Sequence, residues 1–471
     1  MERIVIRNTL WLFVGQSVGR ALRALLLIYA ARALGASSWG AFSYALGIAT
    51  FFTLFSDIGV NALLVREASR NPELRSRYLS TAFFIKLSLV LALAAGALLL
   101  APIFGRIPES GLLMPLMMGV FVADSLRDLG ISLARALEEM RRESVANIVT
   151  NGAILAFAAL FFAKNATSFN LALAYLLGTI AGLVFIAFSL RAHLANLFRH
   201  FASSLVRPIL VSAWPFGLMG LMGVAMINTD VVLVGWLLSP EAVGFYSAAQ
   251  RPIQFFYLIP TLISTAFFPA LARLSRDLGR FRELFEEGLA LLVMLSLPIA
   301  LAGAILAREI MLLLYGAEYL PGVASFFILS LTLIAVFPSS LVAHALFVNG
   351  ERRGFLLYVF AGIAGNALLD LLFIPRFGIA GSAFATLLNQ IIVNAFAWRL
   401  LSDSLAFTLA PRLSRIVPAA IMFAASAVML NRLGAHVLVT LGLSLVLYCM
   451  LLFALEEPLV RSMARLMRES A

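Results

Sequence analysis

"GQSVGRALRALLLIYAARALG", residues 15–35, is the stretch on which the fold turns. It is long enough to cross a bilayer as one helix, which takes about 20 residues of mainly apolar character. It also carries Arg20 and Arg23 in its interior, where a bilayer does not accept charge without something to receive it. Such a helix implies a membrane protein that holds something charged.

The composition agrees. Of 471 residues, 62% are hydrophobic and 13% charged, and the mean hydropathy is +0.99. Soluble domains are nearer half apolar and a quarter charged. The net charge of +11 comes from 33 arginines and 2 lysines against 24 acids. In a membrane chain this reads as loops facing an anionic inner leaflet, not as a nucleic-acid surface. Cys449 is the single cysteine, so an intrachain disulfide and a cysteine metal cluster are both excluded. His193, His200, His344 and His436 show no ligand spacing, and no metal or resident cofactor is expected. The N-terminal apolar run ends without a small-residue cleavage site and reads as a retained first helix. No Walker or GxSxG motif is present. Neither ATP hydrolysis nor covalent catalysis is expected, and the chain does not read as an enzyme.

Apolar windows separated by charged breaks predict about fourteen spans. In order they lie near 8–32, 40–64, 78–101, 112–134, 146–163, 169–190, 209–238, 241–271, 288–307, 323–347, 354–374, 378–399, 416–431 and 435–455. With the N-terminus inside, the cytoplasmic loops and ends hold 24 basic residues and the external loops six. That asymmetry sets the orientation, and an even count puts both termini in the cytoplasm. In "RLSRDLGRFRELFEEG" (273–288), Leu274, Leu278, Phe281 and Phe285 recur at helical spacing opposite charges, which predicts a helix lying on the inner surface.

"LGASSWGAFSYA" (34–45) aligns with "LSPEAVGFYSAA" (238–249) at an offset of 204 residues. The offset covers six spans, so the copies run the same way through the membrane, as in transporters built from two parallel halves with a site between them. The expected architecture is all-α: spans 1–6 (residues 1–200) and spans 7–12 (201–400) as pseudo-symmetric six-helix lobes around a central cavity. Residues 401–471 add spans 13 and 14 and a cytoplasmic tail.

Five basic residues fall within spans: Arg20, Arg23, Lys86, Arg127 and Arg251. At about 2.5–3.5 kcal/mol each on insertion scales, they would together cost roughly 12–17 kcal/mol if left facing lipid. Gln16, Arg20 and Arg23 share one face of span 1, and Asp124, Arg127 and Asp128 one face of span 4. Span 7 carries Asn228 and Asp230; span 8 carries Gln250, Arg251 and Gln254 beside Pro252. Two readings stay open. The charges neutralise one another between helices, Asp124 with Arg127 or Asp230 with Arg251. Alternatively, the arginine surplus receives a phosphate-bearing ligand, whose oxygens a guanidinium fork binds bidentately without deprotonating. On the second reading Arg20, Arg23, Lys86, Arg127 and Arg251 bind substrate, with Gln16, Asn228, Gln250 and Gln254 around it. Lys86 is near enough to the inner surface to snorkel instead. Asp57, Asp124, Asp128, Asp230 and Asp370 are candidates for gating or for coupling to H⁺ or Na⁺, although Asp370 also fits a solvated loop end.

Residues 7–70, with "RALG", "WGAFSYA", "FSDIGV" and "REASR", resemble the opening of the Wzx-like polysaccharide flippases of the multidrug/oligosaccharidyl-lipid/polysaccharide exporter superfamily. "GFYSAAQRP" and "NGERRG…IPRFGIAGSAFAT" resemble their second-lobe segments. The resemblance implies two lobes forming a V, and a substrate of oligosaccharide on undecaprenyl pyrophosphate moved from the inner to the outer leaflet for O-antigen-type polysaccharide biosynthesis. It places the pyrophosphate at Arg20 and Arg23, with Arg127 and Arg251 along the sugar–phosphate path. Lipid II flippases are related, but Ala24 follows Arg23 here, where their first helix has an Arg-Asp pair.

The expected function is that of an inner-membrane flippase or antiporter working by alternating access as a monomer among membrane lipids. A polysaccharide polymerase complex is the protein partner that such a role allows. The rival readings are a lipid II flippase, a cation-coupled drug exporter and a membrane glycosyltransferase. A drug exporter wants an acid-dominated cavity. A glycosyltransferase wants long external loops with catalytic groups, and "AREIMLLLYGAEYLPG" (307–322) offers only Arg308, Glu309, Glu318 and two tyrosines.

Overall fold

The computed structural model describes residues 2–99, 108–195, 197–348 and 352–455; Arg106 and the tail from 456 lie outside them. Every regular element among the described residues is helical, and the chain is an all-α, multi-pass membrane protein. Ten of these helices are long and apolar enough to cross a membrane. Two of the ten, Trp11–Asp57 and Gly354–Ser402, run to 47 and 49 residues. At ~1.5 Å per residue each is about twice the thickness of a bilayer core. Each breaks at a glycine with non-helical dihedrals, Gly35 (φ 74°, ψ 171°) and Gly378 (φ 59°, ψ −141°). They are therefore spans 1–2 and 11–12. Spans 4 and 7 coincide with the helices Pro108–Ala136 and Ser203–Leu237, so the pattern is consistent with fourteen crossings.

Span 2 departs from expectation. Its helix stops at Asp57 and restarts at Val60, through Ile58 (φ 29°) and Gly59 (φ 85°). The Asp57 side chain bridges the break, its Oδ1 accepting the Asn61 N–H at 3.1 Å. One of the orphan amides of the new helix is thereby satisfied.

The chain forms two compact units, Met1–Ser247 and Ala248–Ala471. In the first, small residues let helices approach closely, as is usual where lipid supplies no hydrophobic drive. Gly15 and Gly19 of span 1 lie against Ser144, Asn147 and Asn151 at the start of span 5, while Gly178 and Gly182 of span 6 lie against Ile154 and Thr150 on a neighbouring face of the same helix. Span 5 (helix Met140–Phe162) thus packs on two Gly-x-x-x-Gly faces, one from span 1 and one from span 6. The segment after span 6 is tied to span 3, where Ser80 Oγ donates to the Leu197 carbonyl and the Ala202 N–H donates to Thr81 Oγ1 at 3.2 Å. The two repeat copies touch in this unit, at Gly40 and Gly244.

In the second unit, Leu278–Ile305 packs on the hairpin of spans 13 and 14 through Phe423 and Tyr448. The Tyr448 hydroxyl donates to the Met294 carbonyl at 2.8 Å. The surface helix expected near 273–288 is not formed as such. Residues from Leu278 on are the first turns of span 9, started by Asp277 Oδ1 accepting the Arg280 N–H, and Phe281 and Phe285 are fully buried. Phe285 meets Phe407 edge to face at 5.1 Å. One apolar stripe serves a surface helix or the foot of a packed helix equally well, and here tertiary packing takes it.

Candidate functional site

Span 1 passes through the first unit with Gln16 and Arg20 half-buried and Arg23 exposed. Among the described residues, no carboxylate lies within 4 Å of Arg20 or Arg23. Gly19 immediately precedes Arg20, and a Cβ there would stand 3.3 Å from Asn151 Nδ2. The glycine face of span 1 thus brings two carboxamides, Asn147 and Asn151, beside the arginine face. Asn151 Nδ2 donates to the Asn147 carbonyl at 2.8 Å, while the Asn147 and Gln16 side-chain amides make no hydrogen bond to another described residue.

The other cations of this unit's interior are compensated. Arg127 reaches Asp124 Oδ1 at 2.8 Å through Nη1 and Asp128 Oδ1 at 3.2 Å through Nη2. Its stem passes close to Gly182 of span 6, where a Cβ would stand 3.3 Å from Cδ. Lys86, only 1% exposed, does not snorkel. Its Nζ donates to Asn61 Oδ1 at 2.9 Å and pairs with Asp57 Oδ1 at 3.6 Å. Buried Ser56 and Ser125, 3.1 Å apart between their hydroxyl oxygens, lock this break in span 2 to span 4. The groups form one electrostatic chain, since Asp128 also acts on Lys86, and Arg23 on Asp124. Four cations (Arg20, Arg23, Lys86, Arg127) face three carboxylates (Asp57, Asp124, Asp128), and the local pairs leave the excess on span 1.

Of the remaining candidates, Asp230 is buried in span 7, where its Oδ2 accepts the Tyr246 hydroxyl at 2.7 Å. The side chain of Asn228 lies outside the described residues. In the second unit Arg251 Nη1 donates to Gln254 Oε1 at 3.3 Å, one turn along its own helix, and Gln250 is buried. Asp370 is no loop-end residue: it is 0% exposed, and its Oδ2 accepts from Asn366 Nδ2 at 3.1 Å. Among the described residues, no three His, Cys, Asp or Glu side chains gather as a metal site.

The structure therefore assembles Gln16, Arg20 and Arg23 into one face and gives Lys86 and Arg127 carboxylate partners from spans 2 and 4. Asn61, Asn147, Asn151 and Tyr246 belong to these clusters and escape a search for charges alone. Asn147 and Asn151 carry a readable signal, two amides four residues apart in an otherwise apolar span.

Comparison with known proteins bears on this arrangement. The family described as "Polysaccharide biosynthesis protein" matches residues 5–275. A relative named flippase AglR, from Haloferax volcanii, is 34% identical over 179 residues, which are 36% of this chain and 37% of that protein. The match thus spans little more than a third of that relative's length. A relative named O-antigen transporter, from Shigella flexneri, is 21% identical over 408 residues, 82% of this chain and 95% of that one. Among solved structures, the lipid II flippase MurJ in an inward closed conformation superposes with a TM-score of 0.78 at 15% identity, covering 98% of this chain and 100% of its own. That likeness establishes the shared fold.

Proposed function

The chain belongs to the polysaccharide biosynthesis protein family, and from that premise we propose that it is a flippase. It moves polyprenyl-pyrophosphate-linked oligosaccharide across the membrane by alternating access. The flippase and O-antigen transporter named among its relatives support this reading. The observation that carries it is the state of Arg20 and Arg23. They stand on a membrane-crossing helix without a carboxylate within 4 Å among the described residues, while Lys86 and Arg127 are paired. Two guanidinium groups one turn apart offer a fork-like set of donors to the four or more free oxygens of a pyrophosphate. Asp124, already held by Arg127, is the carboxylate whose field reaches Arg23 in the resting site.

The prenyl tail stays in lipid while the head group is received at Arg20 and Arg23 in the first unit. Pyrophosphate binding relieves the repulsion between Arg20 and Arg23, and the lobes rock to expose the glycan on the other side. The chain acts as a carrier, with no bond made or broken. We place it in the inner membrane with both termini cytoplasmic, from the distribution of basic residues between loops. Asp370, buried beside Asn366, is the residue assigned to coupling with H⁺ or Na⁺. A cationic drug as substrate would meet an arginine surplus in the first unit, which disfavours export of such compounds.

The test is binding of undecaprenyl pyrophosphate to the purified protein, read by native mass spectrometry. Wild type should retain the lipid, and the Arg20→Ala/Arg23→Ala double variant should lose it while keeping its melting temperature. Equal retention by both would displace the anion site from span 1.

A further inference from the structure

We propose that Asn147 and Asn151 of span 5, with Gln16 of span 1, form a subsite for the sugar joined directly to the pyrophosphate. They would make the protein select glycosylated over bare lipid carrier. The inference rests on the flippase reading and deepens it. Its first support is placement. Gly15 and Gly19 bring span 5 so close that a Cβ at Gly15 would fall 2.4 Å from Ser144 Cβ, and one at Gly19 3.3 Å from Asn151 Nδ2. Asn147 and Asn151 are therefore held against Gly19, the residue before Arg20, by backbone packing. The second support is unspent hydrogen-bonding capacity. Asn151 uses one N–H on the Asn147 carbonyl, and the Asn147 and Gln16 amides have no partner among the described residues. All three are half-buried in membrane-crossing helices, and none of their amide atoms is enclosed without a partner, so they stay accessible to a ligand.

The third support is chemical. An ionised pyrophosphate only accepts hydrogen bonds, so the amide oxygens gain nothing from it. A carboxamide both donates and accepts, which matches a sugar hydroxyl or an N-acetyl group. The arginines thus suit the phosphates and the amides suit what is attached to them.

The test compares two probes on the purified full-length protein, undecaprenyl pyrophosphate and the same lipid bearing one N-acetylhexosamine. The expected result for Asn147→Ala and Asn151→Ala is a weakening of about tenfold for the sugar-bearing probe, the size of one or two lost hydrogen bonds. Binding of the bare probe should change less than about twofold. Arg20→Ala should weaken both. Asn147→Ala removes an amide that bonds to no described residue, so it keeps the test open if Asn151→Ala fails to fold. Equal loss for both probes, or none for either, overturns the subsite and leaves the pyrophosphate site standing. Failure of the wild type to bind either probe overturns both.

Discussion

Gly40 and Gly244 lie 204 residues apart in equivalent places of the internal repeat, and each rests on the carbonyl four residues before the other. A Cβ on Gly40 would fall 1.7 Å from the Pro240 oxygen, and one on Gly244 2.0 Å from the Ala36 oxygen. Such reciprocity is what a two-fold relation between the copies demands, as in an isologous interface. It turns a weak sequence repeat into a physical contact, with helix backbones close enough for Cα–H···O interactions. Both obstructing atoms are backbone, so neither can rotate away.

Gly40→Ala and Gly244→Ala should therefore be equally damaging, each reducing transport by at least about tenfold through a contact of the small-residue type. Gly96→Ala and Gly442→Ala, whose Cβ positions meet nothing within 4 Å, serve as neutral controls. Transport assays on all four, normalised to protein in the membrane, check this. Normal transport by Gly244→Ala would remove the crossing from the mechanism.

The Asp57–Lys86 pair should be asymmetric. Lys86 is buried and Asp57 partly exposed, so Asp57→Ala removes the ammonium's ion-pair partner and leaves it enclosed beside Asn61. A cost approaching 3–5 kcal/mol is expected, as for other buried pairs broken from one side. Lys86→Met, which leaves a carboxylate that water can reach, should cost clearly less. Thermal unfolding of the detergent-purified variants orders the two. The reverse order would mean that Lys86 is held by something other than Asp57.

Arg127 and Arg20 should separate by phenotype. Arg127 ties Asp124 and Asp128 together and threads past Gly182, so Arg127→Ala strands two carboxylates and should lower accumulation in the membrane several-fold. Arg20→Ala should accumulate normally and fail to transport. Immunoblots of membranes beside a transport assay distinguish them. If both accumulate poorly, the span 1 arginines are structural.

Asp370→Asn should leave lipid binding intact and abolish the response of transport to a proton or sodium gradient, since the carboxylate is enclosed with Asn366 in the second unit. Flux in vesicles with and without each gradient is the measurement. A gradient response that persists in the variant would move coupling elsewhere.

Much of the architecture was legible because lipid imposes it: long apolar windows, breaks at glycines such as Gly35, and a repeat whose copies keep their spacing. The candidate anion-binding site was half legible. Arg20 and Arg23 stand out in any apolar run, but their distinction from Arg127 and Lys86 depends on which helices meet. Asp57 pairs with Lys86 from a different span, across a helix break that Ile58 does not advertise. Asn147 and Asn151 acquire meaning only once Gly15 and Gly19 bring span 5 against span 1. Phe281 and Phe285 misled for the complementary reason, since local periodicity does not say what lies opposite it.

The most direct measurement is translocation itself. Purified protein is reconstituted in liposomes with undecaprenyl pyrophosphate bearing a fluorescent oligosaccharide, and glycan reaching the far leaflet is read by quenching from outside. Wild type should equilibrate the glycan between leaflets, and the Arg20→Ala/Arg23→Ala variant, present in equal amount, should leave it where it was loaded. Equal translocation by the two proteins would contradict the assignment of the pyrophosphate to span 1.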